Sequence, residues 1–259
     1  MRRLTGAALA ILFLFPLLWS AWASVRTPSG FGLENYRRLF TSDNGIRVEH
    51  VVNSVTLSLL TVAGTLIVSS LGGYAFGRFD FPGKNALFLL TLAILMVPYG
   101  TLLIPMYVLL HAIGLQNSLL GVCLVLTLFQ LPFATFMMRI SFEAVPKELE
   151  ESALVDGAGT IALLRRIFLP SVRPGLITVA LFAFLAAWND FITPLILLAD
   201  DKQSPLPLAI ANLRQQTTFT IDYGATEAGV VVMAVPCLLL FVILQRHYVR
   251  GFMSGAIKG

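Results

Sequence analysis

Six apolar stretches, residues 4–25, 52–76, 85–110, 118–139, 175–199 and 227–247, alternate with shorter polar segments along the chain. A helix needs about 20 apolar residues to cross a hydrocarbon core about 30 Å thick, and a lipid-embedded run of this length satisfies its backbone polar groups as a helix. The pattern therefore predicts an all-α polytopic membrane protein, with residues 1–259 forming one six-helix transmembrane domain. Outer loops fall at 26–51 and 200–226, and the longest loop on the opposite side is 142–173. Composition agrees, since 57% of residues are hydrophobic and only 12% charged, against about 25% charged in soluble domains. Little chain remains for a soluble catalytic domain.

Charge sets the expected orientation. Assigning alternate loops to two sides divides the 18 Lys and Arg into 12 on the side of both termini and 6 on the other, which by the positive-inside rule places both termini in the cytoplasm. The opening Met1-Arg2-Arg3, apolar run and Ala21-Trp22-Ala23 also have the layout of a cleavable signal. We read that segment as an uncleaved anchor.

Two spans carry interruptions. The third contains Pro98, Gly100 and Pro105, which predicts a kinked or unwound helix whose freed carbonyls need protein or a watery path. The fifth places Trp188-Asn189-Asp190 in mid-helix. Its 13 Leu, Ile, Val and Phe residues between Leu176 and Leu198 each favour insertion by about 0.3–0.6 kcal/mol, outweighing about 2.5–3.5 for the aspartate. An ionisable group retained there points to function. Gly73 and Gly77 at the end of the second span form a small-xxx-small pattern that suits close helix packing.

The 142–173 loop reads as two short helices. Pro146 suits a first turn, and Glu148, Glu150 and Glu151 complement the positive end of a helix dipole. Val145, Leu149 and Ala153 recur every four residues as an apolar stripe, and Asp156-Gly157 supplies a turn. Thr160 is the expected cap of the second helix, with Ile161, Leu164 and Phe168 on one face, Arg165 and Arg166 on another, and Pro170 as its stop. Such a hairpin either rests on lipid headgroups or docks a cytoplasmic partner.

Here the chain resembles a known family. Glu151-Ser152-Ala153, three residues, Gly157, nine residues, then Ile167-Phe168-Leu169-Pro170 is similar to the EAA signature of ABC importer permeases, with Ser152 in place of the usual alanine. Asn35-Tyr36-Arg37-Arg38-Leu39-Phe40, Asn53-Ser54, Tyr74-Ala75-Phe76-Gly77-Arg78, Trp188-Asn189-Asp190-Phe191 and Gly255-Ala256-Ile257-Lys258-Gly259 resemble the carbohydrate, MalG-type branch. The likeness runs from about residue 33 to the end. It implies a permease subunit of a bacterial or archaeal plasma membrane that forms half of a sugar pathway. Its implied partners are a second permease subunit, two copies of a cytoplasmic ATPase that holds ATP and magnesium, and an extracytoplasmic sugar-binding protein. Glu151, Ser152, Ala153, Asp156, Gly157, Ile167, Leu169 and Pro170 are then expected to couple to the ATPase. Pro98, Pro105, Trp188, Asn189 and Asp190 are expected nearest the sugar, and Asn212, Arg214, Gln215 and Gln216 to meet the binding protein.

Other chemistry finds no support in the sequence. The stretch Gly77 to Asn85 has five residues between its glycines, no Ser or Thr after Lys84 and no preceding strand, so it is not a phosphate loop. His50, His111 and His247 have no metal-ligand spacing, Cys123 and Cys237 sit in apolar runs as buried hydrophobes, and no basic, aromatic-interleaved cluster suits nucleic acid. An ion-coupled carrier using Asp190 and an intramembrane hydrolase using Ser54 or Ser118 with a histidine are the alternatives. The docking loop argues against the first, and the absence of any G-x-S-x-G elbow or spacing argument against the second.

Overall fold

The computed structural model describes residues 2–28, 30–41, 45–213 and 222–256. In chain order the elements are α1 (Arg2–Val25), β1 (Arg26–Thr27), β2 (Gly30–Phe31), α2 (Glu34–Thr41), α3 (Val48–Arg78), α4 (Lys84–Ala93), α5 (Tyr99–Ala112) and α6 (Leu119–Glu143). They continue as α7 (Lys147–Val155), α8 (Thr160–Leu163), a π-helical turn Leu164–Phe168, α9 (Leu169–Ser171), α10 (Arg173–Asn189), α11 (Ile192–Leu197), α12 (Leu206–Leu213) and α13 (Tyr223–Ala256). Among the described residues, α3, α6 and Tyr223–Leu244 of α13 are each long and apolar enough to span a bilayer. Two bent pairs bring that number to five if each is one span, and Ile11–Val25 forms a shorter apolar helix.

The chain packs as two compact units, one of residues 1–54 and 200–240, the other of 55–199 and 241–259. In the first, the Asn35 side chain, 1% exposed, donates to the carbonyls of Ser24 and Arg26 at 2.8 Å each and fixes the chain after α1. Arg38 reaches Asp222 at 3.0 Å, and Gly224 lies so close to Asn35 that a Cβ would fall 2.4 Å from its Oδ1. Asn53 donates to the carbonyls of Lys202 and Ser204, while the Ser54 hydroxyl accepts from the Leu206 N–H at 2.7 Å. Within the 200–226 loop, α12 buries Leu206 through Ile210. A helix of eight residues with Pro207 at its second position is too short to read as a span.

In the second unit α6 is the central helix. It buries eleven residues, Val122, Thr127, Pro132 and Met138 among them, and packs against α10, α11, α4 and α5. Glycines on α3 bring it against α6: an added Cβ at Gly73 would sit 2.5 Å from the Met138 Cβ and 2.9 Å from the Arg139 nitrogen, and one at Gly77 would sit 3.1 Å from the Phe142 Cβ. Gly73 and Gly77 are therefore packing glycines. Cys123 is buried and Cys237 only half-buried, and the two form no disulfide. The rejected phosphate-loop stretch starts inside α3, and the Lys84 amine bonds Asp80 at 3.2 Å.

Both interrupted spans are fully broken. Chain direction turns by 104° between the segments Lys84–Met96 and Tyr99–Ala112, because Val97 and Pro98 take extended backbone. The fifth span corrects the mid-helix expectation: α10 ends at Asn189, Asp190 is extended (φ −73°, ψ 126°), and helix resumes at Ile192.

The α3–α6 approach predicts a sharp size limit. Gly73→Leu is expected to lower the thermal unfolding midpoint of the detergent-solubilised protein, reflecting an overpacking cost of about 1–3 kcal/mol. Gly6→Ala, which meets nothing within 4 Å, should leave it unchanged.

Candidate functional site

The 142–173 hairpin is built on a buried cation. Arg78 ends α3 with its side chain 5% exposed and donates to the Val145 carbonyl. Its guanidinium also lies 3.5 Å from Glu150 and 4.7 Å above the Phe168 ring centroid. One planar fork therefore holds the end of α3, the entry to α7, α7 itself and the π turn. Arginine suits this role because its fixed donors and flat face serve hydrogen bonding and stacking together. Around it Tyr74, Phe142 and Phe168 form an aromatic cluster with centroids 5.2–6.1 Å apart, joined by Val145, Ala153, Leu163 and Val172 in one core.

Pro146 precedes α7 and Glu148 and Glu150 occupy its first turn. The helix closes in a Schellman arrangement: the Ala158 N–H bonds the Ala153 carbonyl at 2.9 Å and the Gly157 N–H the Leu154 carbonyl at 3.0 Å. Gly157 takes φ +79°, a conformation that costs any residue with a Cβ. The Ser152 hydroxyl donates to the Glu148 carbonyl at 2.7 Å, so it folds back onto its own helix and occupies little more surface than alanine. Ala153 is buried, whereas Glu151, Ser152, Asp156 and Gly157 are exposed.

Three local expectations are corrected. Leu149 is exposed, leaving Ala153 as the buried residue of α7 and Val145 buried just ahead of it. Gly159 rather than Thr160 takes the cap position of α8, and Leu163 rather than Ile161 packs inward. Pro170 does not stop the helix. The π turn widens the ladder just before it, with the Leu169 N–H reaching back to the Leu164 carbonyl, and Pro170 sits as the second residue of α9. A proline has no N–H to lose from such a shifted ladder. The bend comes at Val172, where the segments Thr160–Ser171 and Arg173–Asn189 meet at 76°. Ile167 and Leu169 are half-buried and Pro170 exposed.

The second candidate locus lies where the two broken spans meet. Tyr99, first residue of α5, places its hydroxyl 3.0 Å from each oxygen of the Asp190 carboxylate and also hydrogen-bonds the Thr193 hydroxyl. Its ring meets Phe129 of α6 edge-on, centroids 4.7 Å apart. A cavity of about 510 Å³ opens beside this cluster, with Pro98, Tyr99, Phe129, Gln130 and Asp190 among its lining residues. That volume is in the range of small-ligand sites.

The structure brings together only part of the expected pathway set. Pro98 and Asp190 line the cavity. Trp188 is 3% exposed and stacks on Phe184 with centroids 5.6 Å apart, while the Asn189 amide donates to the Leu185 carbonyl at 2.8 Å and finishes α10. Pro105 lies within α5, away from the lining. Tyr99, Gln130 and Arg78 were not among the expected site residues. A tyrosine directly after the break-forming proline was the available signal for Tyr99, and position within a motif for Arg78. Asn212 lies in α12, and Arg214, Gln215 and Gln216 lie outside the described residues.

Comparison with known proteins gives the same assignment throughout the chain. The family described as "Binding-protein-dependent transport system inner membrane component" matches residues 69–253. The trehalose transport system permease protein SugB of Mycobacterium tuberculosis is 33% identical over 257 residues, 98% of this chain and 93% of that protein. The arabinooligosaccharides transport system permease protein AraQ of Halalkalibacterium halodurans is 33% identical over 267 residues, 98% and 94%. Among solved structures, a chain of a bacterial ABC transporter that imports the acidic polysaccharide alginate shares the fold with a TM-score of 0.83 at 17% identity, covering 95% of this chain and 94% of that one. With a motif-bearing hairpin, broken spans and a family match covering most of its length, this polytopic helical membrane protein belongs to the inner-membrane permeases of binding-protein-dependent ABC importers.

Proposed function

We propose that the chain forms half of the translocation pathway of an ATP-driven importer of a sugar or oligosaccharide in a bacterial or archaeal plasma membrane. It crosses six times, with both termini cytoplasmic, and pairs with a second permease subunit. Two copies of a cytoplasmic ATPase bind ATP and magnesium, and the chain itself hydrolyses nothing. An extracytoplasmic binding protein delivers the sugar and meets the 200–226 loop through Asn212, Arg214, Gln215 and Gln216. Sugar passes beside Pro98 and Asp190, with Trp188 and Asn189 at the end of α10 and Pro105 farther along α5. The sugar assignment rests on relatives named for trehalose and arabinooligosaccharide transport.

The observation that carries this reading is the construction of the hairpin. Its base is fixed by Arg78 and an aromatic core, while its tip leaves apolar side chains in the open: Val155 is 88% and Ile161 74% exposed, with Leu149 and Leu154 about half so. An apolar surface on a stiff, charged mount suits a groove on a partner protein, and a rigid mount passes motion on where a floppy linker would absorb it. Glu151 and Asp156 beside that tip set register by charge.

Two variants at Gly157 separate backbone conformation from groove contact. Gly157→Val places a β-branched residue at φ +79°, a strain of about 1–3 kcal/mol, and recovery of the ATPase in a pull-down should fall about tenfold. Gly157→Asn tolerates that backbone and should restore recovery if conformation alone matters. If both variants bind and transport normally, the hairpin is not the coupling element. Glu151→Lys should weaken recovery in the same direction, because it opposes the helix dipole and reverses charge at the docking surface.

Arg78→Gln leaves the half-buried Glu150 carboxylate and the Val145 carbonyl without their cation, and losing hydrogen bonds to a charged group costs about 1.5–3 kcal/mol. The mount should loosen while the tip keeps its surface. In reconstituted vesicles, ATP hydrolysed per sugar transported should rise severalfold while ATPase recovery stays near normal. An unchanged ratio would show that the hairpin needs no anchor at its base.

A further inference from the structure

The cavity beside the two breaks has an asymmetric lining. Its walls are aliphatic and aromatic, two neutral polar side chains are Tyr99 and Gln130, and among the described lining residues Asp190 alone carries a formal charge. The carboxylate is not a stray exposed group. Both oxygens are held by the Tyr99 hydroxyl at 3.0 Å, Thr193, fully buried, backs that hydroxyl, and the extended backbone at Asp190 turns the group out of the helix. Tyr99 begins α5, so the carboxylate also lies beside a helix N-terminus, whose partial positive charge complements an anion. With one Tyr proton shared between two oxygens, most of its acceptor capacity stays open to the cavity.

From this geometry we propose that the cavity is a sugar subsite that selects by charge: it takes neutral or basic sugars and discriminates against acidic ones such as uronates and sulfonates or phosphates of sugars. The inference rests on the reading of this cavity as part of the translocation pathway. An ionised carboxylate accepts hydrogen bonds from sugar hydroxyls or from an ammonium group, and it has no donor for a ligand carboxylate. The Phe129 and Tyr99 rings supply apolar surface for the C–H face of a sugar ring, and the Gln130 amide adds a neutral donor and acceptor. Beside apolar walls, repulsion between two anions is stronger than at a fully water-facing surface. The fold carries no charge preference of its own, since the structurally similar chain belongs to an importer of an acidic polysaccharide.

Thiol labelling of the complete transporter in vesicles tests the charge filter without a known substrate. In a background with Cys123 and Cys237 replaced by alanine, Leu102→Cys places a thiol on the cavity wall. Its reaction rates with cationic trimethylammonium-ethyl and anionic sulfonatoethyl methanethiosulfonate are each divided by the rate with a free thiol. The cationic reagent is expected to be favoured by about tenfold, because a fixed negative charge lining the same cavity attracts it and repels the anionic one. Asp190→Asn should remove the preference, and Asp190→Glu should keep it. A ratio near unity with Asp190 present, or a preference that survives Asp190→Asn, overturns the charge filter and leaves the pathway reading standing. Protection of the thiol from both reagents in every state of the ATP cycle overturns the pathway reading, and the filter with it.

Discussion

Inside a bilayer no backbone amide or carbonyl can be left to solvent, so wherever a spanning helix breaks, the freed groups need another partner. This chain breaks two spans and places the breaks side by side. One lies at Val97 and Pro98, the other at Asp190 and Phe191, and the side chain that joins them is Tyr99, through Asp190 and Thr193. Polar groups that would oppose insertion if separate become a local network when they face each other. The cavity is a product of the same constraint, since extended backbone and a 104° turn leave space that two continuous helices would fill.

The hairpin solves a different problem with similar means. Short helices outside the membrane are unstable alone, and α7 and α8 have nine and four residues. They hold their shape because a cation at the end of α3 and three aromatic rings give them a core, and because Gly157 lets α7 close its last carbonyls within two residues. The EAA-type spacing follows from this build. Ala153 must be small to lie against the core, Gly157 must allow a left-handed turn, and Pro170 must follow a π turn that makes its missing donor harmless. Glu151 and Ser152 face outward and take no part in that core.

Much of this was legible from residues. Long apolar runs marked the helices, Pro146 and Gly157 marked where α7 begins and ends, and Gly73 with Gly77 marked a packing seam. What escaped had tertiary causes. Nothing local in Trp188-Asn189-Asp190 ends a helix; the ending goes with Trp188 stacked on Phe184, Asn189 bonding back to Leu185, and Asp190 drawn to a tyrosine 91 residues away. The π turn is likewise invisible to a 3.6-residue period, and its register shift put Leu163 inside where Ile161 was expected. In α12, burial against neighbouring segments gives structure to a stretch too short to announce itself by hydropathy. Arg78 looked like one more positive charge at a helix end until Glu150, Val145 and Phe168 closed around it.

The two loci share one rigid connection. Helix α10 starts at Arg173, one residue after the hairpin's final bend at Val172, and ends at Asn189, one residue before Asp190. Its 17 residues span about 25 Å at 1.5 Å per residue, most of the thickness of a hydrocarbon core. Gly175 lies so near α6 that an added Cβ would fall 2.3 Å from the Ser141 hydroxyl, so the helix is seated on α6 at its hairpin end. A force applied at the hairpin therefore reaches Asp190 through one α-helix, with extended backbone at the far end to absorb rotation. Substitutions at the hairpin and substitutions in the cavity should then act on one mechanical element, which is what the proposed function requires if ATP hydrolysis on one side is to alter a site within the membrane.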